Sequence, residues 1–473
     1  MSLSKQIIYA TTDHVAGLLE EKPTLNEIDE YGYTPLVQTA IVNSVEKAEL
    51  LLKAGADPNF TDLTGRSALH WAAENNNKAL CELLLSYKAD SNAYTRAGQS
   101  VLVMPLLRKY HALKKVLYQH EANLSFAQDF INAKTLGHRF ELMGRVDIVD
   151  HQGRFIEMEF EGFYLEFTLA MVLASLVDFK RHYAGKHLRH HFANLDIIIN
   201  SLHIASELIR YQHYLTDIKS YSNRINELLR TTPVLLPIAY EGHAISLIKF
   251  RNWLIRCDRG EYGRNNGTVI IYKIGRPEVM TVNFIRTLLY KRQHKDFIND
   301  GIVELLDLQA IDNLPLSTQL SGNCSWANVE AAVPALLYLL LLQGSHEHDA
   351  RVVEEAKQSA LSFYQQWQQW DQTRALGFCL QGFNKADPAR KASKAAILAA
   401  ILVQHIEPKE SEDLLLAEKI IKLLYTDDFR YILESYASVL SQDREHAFYK
   451  NLAEQLEYAG IDIETLQKNI PDH

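Results

Sequence analysis

One motif recurs every 33 residues in the first third of the chain. It consists of a glycine, a threonine or serine two residues later and a leucine two residues after that, and it begins at Gly32, Gly65 and Gly98. A second series, an alanine after a leucine-rich stretch, keeps the same interval at Ala56, Ala89 and Ala122. A unit of this length cannot bury its apolar face alone and has to stack on its neighbours. The period therefore predicts a helical solenoid in this region.

Each unit carries signals that start a helix. Thr34 and Ser67 can cap a helix N-terminus, and Pro35 suits a first turn because its missing N–H has no intrahelical partner there. The third unit departs from this pattern, since Val101 stands where the first has Pro35. A 33-residue period, with Thr-Pro-Leu or Ala-Leu-His-Trp-Ala-Ala at the helix start and Ala-Asp-Pro-Asn or Ala-Asp-Ser-Asn at the end of the unit, resembles the ankyrin repeat.

The resemblance implies three clear repeats and a degenerate first unit that begins near Ser2, since Leu18-Leu19 precede Leu51-Leu52 by 33 residues. Ankyrin arrays bind proteins through their loop tips and concave face, so the resemblance implies a protein partner. We expect its contacts at the tips between units, near Tyr31, Leu63 and Ala97. An array that only supports the following domain is the alternative.

Length and composition predict several folded domains. The chain has 473 residues, which is too long for a single domain core of ordinary size. Its residues are 47% hydrophobic and 23% charged, which is the balance of a folded soluble protein. We expect a multidomain α+β protein with ankyrin repeats at 1–145, an α+β domain at 146–345 and a helical domain at 346–473. A net charge of −9 argues against general attraction to nucleic acid or anionic membranes, so no direct nucleic-acid binding is expected.

The sequence predicts no membrane span and no cofactor. The longest apolar run, Ala331 to Leu342, is shorter than the roughly 20 residues of a bilayer span and contains Pro334, so it predicts a buried helix. Residues 1–6 lack the basic stretch and apolar core of an ordinary secretory signal. The four cysteines lie far apart, and neither a glycine-rich phosphate loop nor a His-Glu-x-x-His motif occurs. We therefore expect neither a metal nor a cofactor.

Strand and helix patterns follow the repeats. Alternating apolar residues from Arg154 to Phe167 predict a strand, and helical patterns follow at 168–178 and 194–229. Three short strands are predicted at 244–250, 253–257 and 268–273. From about residue 349 to residue 466 the pattern is that of five or so amphipathic helices, which fit a bundle.

Cysteine, histidine and aspartate occupy positions that suit thiol chemistry. Cys324 lies just ahead of an apolar helical run, where a helix N-terminus and a neighbouring histidine can lower a thiol pKa. His243 opens one predicted strand and Asp258 follows the next, so antiparallel pairing about Arg251-Asn252 can make them neighbours. The carboxylate can then orient the imidazole. Gln319, five residues before Cys324, can donate a hydrogen bond to an oxyanion.

This order and the segment Cys324-Ser-Trp326-Ala327 resemble papain-like cysteine proteases, in the permuted arrangement of the adenain and ubiquitin-like-protease branch and of YopJ-type acetyltransferases. The resemblance implies that Cys324 is the nucleophile, His243 the general base, Asp258 the orienting residue and Gln319 the oxyanion-hole donor. The chain departs from the permuted proteases at residue 325, where serine replaces their glycine.

Several alternatives stay open at the level of sequence. Asn252, Asn265 or Asn266 can orient His243 instead of Asp258. The domain can be an active cysteine protease, an acyltransferase with the same triad, or an inactive scaffold that binds a protein complex. Ankyrin repeats joined to such a domain resemble bacterial effectors that a specialised secretion system delivers into a eukaryotic cell. That resemblance implies a host protein as partner and the host cytoplasm or nucleus as the place of action.

Overall fold

Four successive helix pairs begin the computed structural model, which describes residues 3–319, 322–343, 349–408 and 411–467. They are α1 (Leu3–Tyr9) with α2 (Thr12–Glu20), α3 (Pro35–Ile41) with α4 (Val45–Lys53), α5 (Ala68–Glu74) with α6 (Lys78–Ser86), and α7 (Val103–Leu107) with α8 (His111–Gln119). Leu51, Leu84 and Leu117, spaced at the repeat period, are fully buried. The first pair occupies the segment in which the sequence predicts a degenerate unit.

Helix starts in the array follow their capping residues. The Thr34 Oγ1 accepts a hydrogen bond from the Val37 N–H at 3.1 Å, and α3 begins at Pro35. Ser67 and His70 form a reciprocal capping box at the start of α5. In the third unit the helix begins only at Val103, and the Val101 N–H donates to the Ala93 carbonyl at 3.1 Å. A proline at this position cannot make that bond.

The tips between helix pairs share one turn. A side-chain oxygen accepts hydrogen bonds from the backbone N–H groups two and four residues later, and the glycine three residues on has a positive φ. This turn occurs at Asp29, Asp62 and Thr95.

The same turn occurs once more, outside the 33-residue register. Asp150 Oδ1 accepts from Gln152 at 2.8 Å and Arg154 at 2.9 Å, and Gly153 has a φ of +79°. It joins β1 (Arg145–Val149) to β2 (Phe155–Glu159), which form an antiparallel hairpin. A Cβ on Gly98 would lie 3.6 Å from the side chains of Ile156 and Met158. Asp150–Arg154 is thus a fourth tip of the array, packed on the third, and the strand predicted to continue to Phe167 ends at Glu159.

Contacts within the chain define two units. The first contains Met1–Thr135, Gly144–Phe160 and Gly382–His473, and the second contains Leu136–Met143 and Glu161–Gln381. The first unit therefore combines the repeats with the C-terminal helices α18 (Pro388–Gln404), α19 (Ser411–Leu424), α20 (Arg430–Leu440), α21 (Ala447–Tyr458) and α22 (Ile463–Gln467). These units describe packing, and the functional division at residues 145 and 345 stays a prediction.

A buried ion cluster joins the two parts of the first unit. Asp129, on α9 (Leu124–Arg139), accepts hydrogen bonds from Arg390 at 2.5 and 3.0 Å and from Lys394 at 2.6 Å. Asp129 is 4% exposed, so its charge depends on these two cations of α18 for compensation. Helix α18 also packs against β1.

A five-stranded antiparallel sheet forms the centre of the second unit. Its order is β3 (Val234–Tyr240), β4 (His243–Phe250), β5 (Trp253–Cys257), β6 (Val269–Ile274) and β7 (Leu308–Asn313). One apolar core contains residues of α10 (Leu165–Arg181), α11 (Phe192–Arg210), α16 (Cys324–Leu342) and α17 (Ala350–Lys385). The other contains residues of α12 (Ser222–Leu229), α14 (Val282–Tyr290) and α15 (Ile302–Leu306). The short α13 (Glu261–Asn266) connects β5 to β6.

The three predicted strands are present as β4, β5 and β6, and β3 and β7 are additions. β3 is an almost continuous apolar run that contains Pro237, and both features hide the alternation typical of a half-exposed strand. β3 lies at the edge of the sheet, where a proline can be accommodated.

Helix α16 is the apolar helix of the core that also contains residues of α10, α11 and α17. Among the described residues it alone is long and apolar enough to cross a membrane, yet 94% of the window that meets this test is buried. A helix that is apolar on all sides and buried in protein is a core helix. The buried helix predicted at Ala331–Leu342 is confirmed, and because it begins at Cys324 the thiol lies in its first turn.

Candidate active site

Strand pairing brings His243 and Asp258 together. His243 is the first residue of β4, directly after a tight turn in which Glu241 and Gly242 have positive φ. β4 pairs with β5 up to Ser246 and Cys257, and Asp258 follows that last pair. The His243 Nε2 lies 3.0 Å from the Asp258 Oδ1. The pairing expected about Arg251-Asn252 therefore produces the predicted proximity.

Cys324 interacts with the same imidazole. The His243 side chain and the backbone N–H groups of Ala244 and Ser325 each stabilise the Cys324 thiolate, and so oppose the effect of burial on the thiol pKa. Because Nε2 of His243 faces Asp258, Nδ1 is the ring nitrogen left for the sulfur. The position of Cys324 at the start of α16 also favours a thiolate, since the N-terminal end of a helix carries partial positive charge.

The pKa shifts of the pair favour a thiolate and an imidazolium. Burial lowers the pKa of His243, but its hydrogen bonds to Asp258 and Cys324 outweigh burial and raise that pKa to about 9. Burial raises the pKa of the Cys324 thiol, but the hydrogen bond and charge of His243 outweigh it, so the pKa lies below its usual value. Both shifts are in the direction that cysteine nucleophiles require.

Asp258 is held as a carboxylate by a buried arginine. Its side chain is fully buried, and its Oδ2 accepts a hydrogen bond from Arg256 at 2.8 Å. Arg256 also donates to the Ile298 carbonyl at 2.9 Å and to the Asn299 Oδ1 at 2.6 Å. Burial raises the pKa of Asp258, but His243 and Arg256 outweigh burial and lower that pKa. The arginine thus compensates a charge that would otherwise be costly to bury.

Gly260 leaves the space that the imidazole occupies. Continuing the β4–β5 register places position 260 opposite position 243, and a Cβ on Gly260 would lie 2.8 Å from the His243 Cε1. The Gly260 N–H also donates to the Asp258 Oδ1 at 3.1 Å. Any side chain at this position would displace the histidine or the carboxylate.

Gln319 lies beside the residue that follows Asp258. Its backbone N–H donates to the Arg259 carbonyl at 2.8 Å, and its side chain is buried with Oε1 lacking a partner among the described residues. Residues 320 and 321, between Gln319 and Cys324, lie outside the described residues. The oxyanion role of Gln319 stays a prediction.

The asparagines that compete with Asp258 in the sequence lie elsewhere. Asn252 is in the turn at the opposite end of β4 and donates to the Ile274 carbonyl at 3.2 Å. Asn266 donates to the Tyr262 carbonyl at 3.0 Å, and Asn265 is exposed. The geometry therefore favours Asp258 as the partner of His243.

The remaining cysteines and the predicted partner residues occupy other environments. Cys81 and Cys257 are fully buried, which raises the pKa of each thiol, while Cys379 is half-buried. Tyr31 and Leu63 are 64% and 53% exposed at their tips, and Ala97 is exposed at the third. Their contact with a partner stays a prediction.

Sequence reasoning missed Arg256 and Gly260. Arginine on a strand resembles an ordinary surface residue in the sequence, and only its burial beneath Asp258 gives it a role. The Asp258-Arg259-Gly260 turn was a readable signal, because a glycine opposite a strand-opening histidine leaves room for the ring.

Comparison with known proteins first identifies the repeats. Residues 43–126 match the family model described as ankyrin repeats (3 copies). Inversin of Gallus gallus is 38% identical over 79 residues, 14% of this chain and 7% of inversin. Inversin of Homo sapiens is 37% identical over 81 residues, 16% of this chain and 8% of inversin. The chain thus spans less than a tenth of the length of these curated relatives.

A solved structure matches nearly the whole chain. The Legionella effector AnkH is 42% identical, with a TM-score of 0.81 over 98% of this chain and 98% of AnkH. The chain belongs to the AnkH family of ankyrin-repeat bacterial effectors. Since the match covers both units, the AnkH fold includes the sheet and the C-terminal helices as well as the repeats.

Proposed function

We propose that this AnkH-family chain is a thiol hydrolase with a papain-like Cys-His-Asp triad. The observation that carries the proposal is the 3.0 Å contact between the His243 ring and the Asp258 carboxylate, together with a Cys324 thiol in the first turn of α16 whose pKa the same ring lowers. A nucleophile on a base that is itself oriented by a third group is the recurring geometry of covalent hydrolases.

The proposed reaction cleaves an amide bond in two steps. The Cys324 thiolate attacks the carbonyl carbon, and the His243 imidazolium gives its proton to the departing amine, which leaves a thioester. Water then attacks the thioester with His243 as base, which releases the carboxylic acid and restores the thiolate. Gln319 and the backbone N–H groups around Asn323 and Ser325 stabilise the oxyanion in this proposal.

The proposed substrate is a host protein or an isopeptide-type conjugate that the repeats select. The ankyrin family match supports protein recognition, and the exposed Tyr31 and Leu63 are available to a partner. Similarity to a Legionella effector supports delivery into a host cell by a specialised secretion system, with action in the cytoplasm or nucleus.

The test is covalent labelling of the full chain near pH 6.5. Iodoacetamide or a peptide vinyl sulfone should modify Cys324 at least about tenfold faster than Cys379, because the His243 side chain lowers the pKa of the Cys324 thiol. His243→Ala should abolish the difference. His294→Ala is a matched control, since the His294 side chain is 74% exposed and pairs with Glu241 near the same turn. Labelling of Cys324 no faster than of Cys379 would refute the proposal.

A binding scaffold without catalysis is the second candidate. It is favoured by Ser325, which replaces the glycine of the permuted proteases. A scaffold predicts that Cys324→Ser retains the full effect on the bound host complex, whereas a hydrolase predicts that new protein termini disappear in this variant. Acyl transfer by the same triad would instead add a mass to the substrate only when acetyl-coenzyme A is present.

A further inference from the structure

One buried asparagine shares a helix with Cys324 and bonds the backbone of the residues that follow His243 and Asp258. Asn328 lies one turn after Cys324 on α16, so the two residues share a face of the helix. Its side chain is 1% exposed and makes two short hydrogen bonds. The Oδ1 accepts from the Arg259 N–H at 2.7 Å, and the Nδ2 donates to the Ala244 carbonyl at 2.7 Å.

The two bonded residues are the immediate neighbours of the other triad members. Ala244 follows His243 on β4, and Arg259 follows Asp258 after β5. The pairing of β4 with β5 ends at Ser246 and Cys257. Just beyond that pair, the Asn328 amide lies between backbone groups of the two neighbouring segments, at Ala244 and Arg259. A neutral amide suits this place because it is a donor on one side and an acceptor on the other.

We propose that Asn328 is a positioning residue that sets the distance between the Cys324 sulfur and the His243 ring. The amide fixes α16 against the backbone of both segments at once, because it bonds the residue after His243 and the residue after Asp258. The inference rests on the proposed function of Cys324. Asn328 itself does not touch the substrate in this proposal, and it acts through the backbone of the residues that it bonds.

Two substitutions separate positioning from simple support of the fold. Asn328→Asp keeps the shape and one acceptor but turns the donor into an oxygen that faces the Ala244 carbonyl. Asn328→Ser adds no charge and shortens the side chain, so it cannot span both backbone groups. Asn252→Ala is the matched control, because this amide also binds a backbone carbonyl, at the far end of the same strands.

The experiment is the pH profile of Cys324 alkylation by iodoacetamide, followed by mass spectrometry on protein whose thermal melt shows that it is folded. Near pH 6.5 the Asn328 variants should react about tenfold more slowly, since misplacement by a fraction of an ångström weakens the sulfur–imidazole contact. Their half-maximal rate should move to higher pH, and Asn252→Ala should keep the wild-type profile.

The outcomes distinguish this inference from the proposed function. If Cys324 of the wild-type protein is labelled no faster than Cys379, the proposed hydrolase function is refuted. Fast wild-type labelling with an unchanged profile in folded Asn328→Ser overturns the positioning role alone, whatever its effect on thermal stability. A shift in Asn328→Asp without one in Asn328→Ser also overturns it, because added charge would then account for the result.

Discussion

Replacing Gly260 by alanine tests the geometry of the site without any knowledge of its substrate. Gly260 has a φ of −81°, outside the left-handed region that favours glycine, so the space around the added Cβ is what matters. The added Cβ would lie 2.8 Å from the His243 Cε1 and 3.2 Å from both the His243 Nε2 and the Asp258 Oδ1. Carbon atoms in contact prefer a separation of about 3.5 Å or more, so the ring has to retreat by about 0.7 Å.

That displacement breaks the orienting hydrogen bond. The His243 side chain is 26% exposed and can move towards solvent, whereas Asp258 is fully buried and held by Arg256. A retreat of about 0.7 Å takes the 3.0 Å contact between Nε2 and Oδ1 beyond hydrogen-bonding distance. The pKa of His243 should then fall below about 9, and the Cys324 thiolate should lose its stabilising cation. Errors of this size cost reaction rates about tenfold to a hundredfold.

The assay is the rate of Cys324 alkylation between pH 5 and pH 9, with the imidazole titration followed by NMR. Gly260→Ala should react at least about tenfold more slowly near pH 6.5 than the wild type. Gly377→Ala is the control: this residue of α17 has open space around it, so the rate should not change, and helix stability should rise by about 0.5–1 kcal/mol. A folded Gly260→Ala protein that reacts within twofold of wild type would refute the assigned geometry.

Three further predictions concern charges. Asp258→Asn should lower the pKa of His243 from about 9, so NMR should show the ring losing its proton at lower pH; an unchanged titration contradicts this. Arg256→Met should raise the pKa of Asp258, so that on acidification the rate of Cys324 alkylation should decline at a higher pH than in the wild type. The same pH of decline in both proteins would exclude this role for the arginine. Asp129→Asn should lower the free energy of unfolding in urea by about 2–3 kcal/mol, which is at the low end for a buried ion pair because Arg390 is partly exposed. Cys324 alkylation should not change. A loss of stability below about 0.5 kcal/mol would contradict the role of this ion cluster.

Local periodicity made much of the fold predictable. The 33-residue interval reports helix pairs that contact only their neighbours, so each unit carries its own signals. Strands β4, β5 and β6 alternate or end in recognisable turns, whereas Pro237 and uniform burial conceal β3. The 33-residue interval did not predict the fourth tip, because the additional helix α9 lies between it and Thr95. Asp150 and Gly153 nevertheless repeat the residues of the earlier tips.

The candidate site divides in the same way. Cys324, His243 and Asp258 could be selected because each lies at the end of a local element, where chain order and strand pairing constrain its neighbours. The roles of Arg256, Gly260 and Asn328 depend on which buried group faces them across the sheet or from the helix. No local pattern carries that information, since an asparagine on an apolar helix acquires its partners only when the helix docks.

The ion cluster at Asp129 has a consequence for synthesis of the protein. The repeats leave the ribosome early, but Arg390 and Lys394 are translated only after the entire sheet unit. Until then Asp129 lacks both its cations and the helix that covers β1, so the first unit reaches its final stability only when the last helices arrive. A fragment that stops at residue 145 should therefore resemble the nascent chain: it lacks the C-terminal helices that complete the first unit, and the surface that they cover is exposed to aggregation. A protein used to search for binding partners therefore has to include the C-terminal helices.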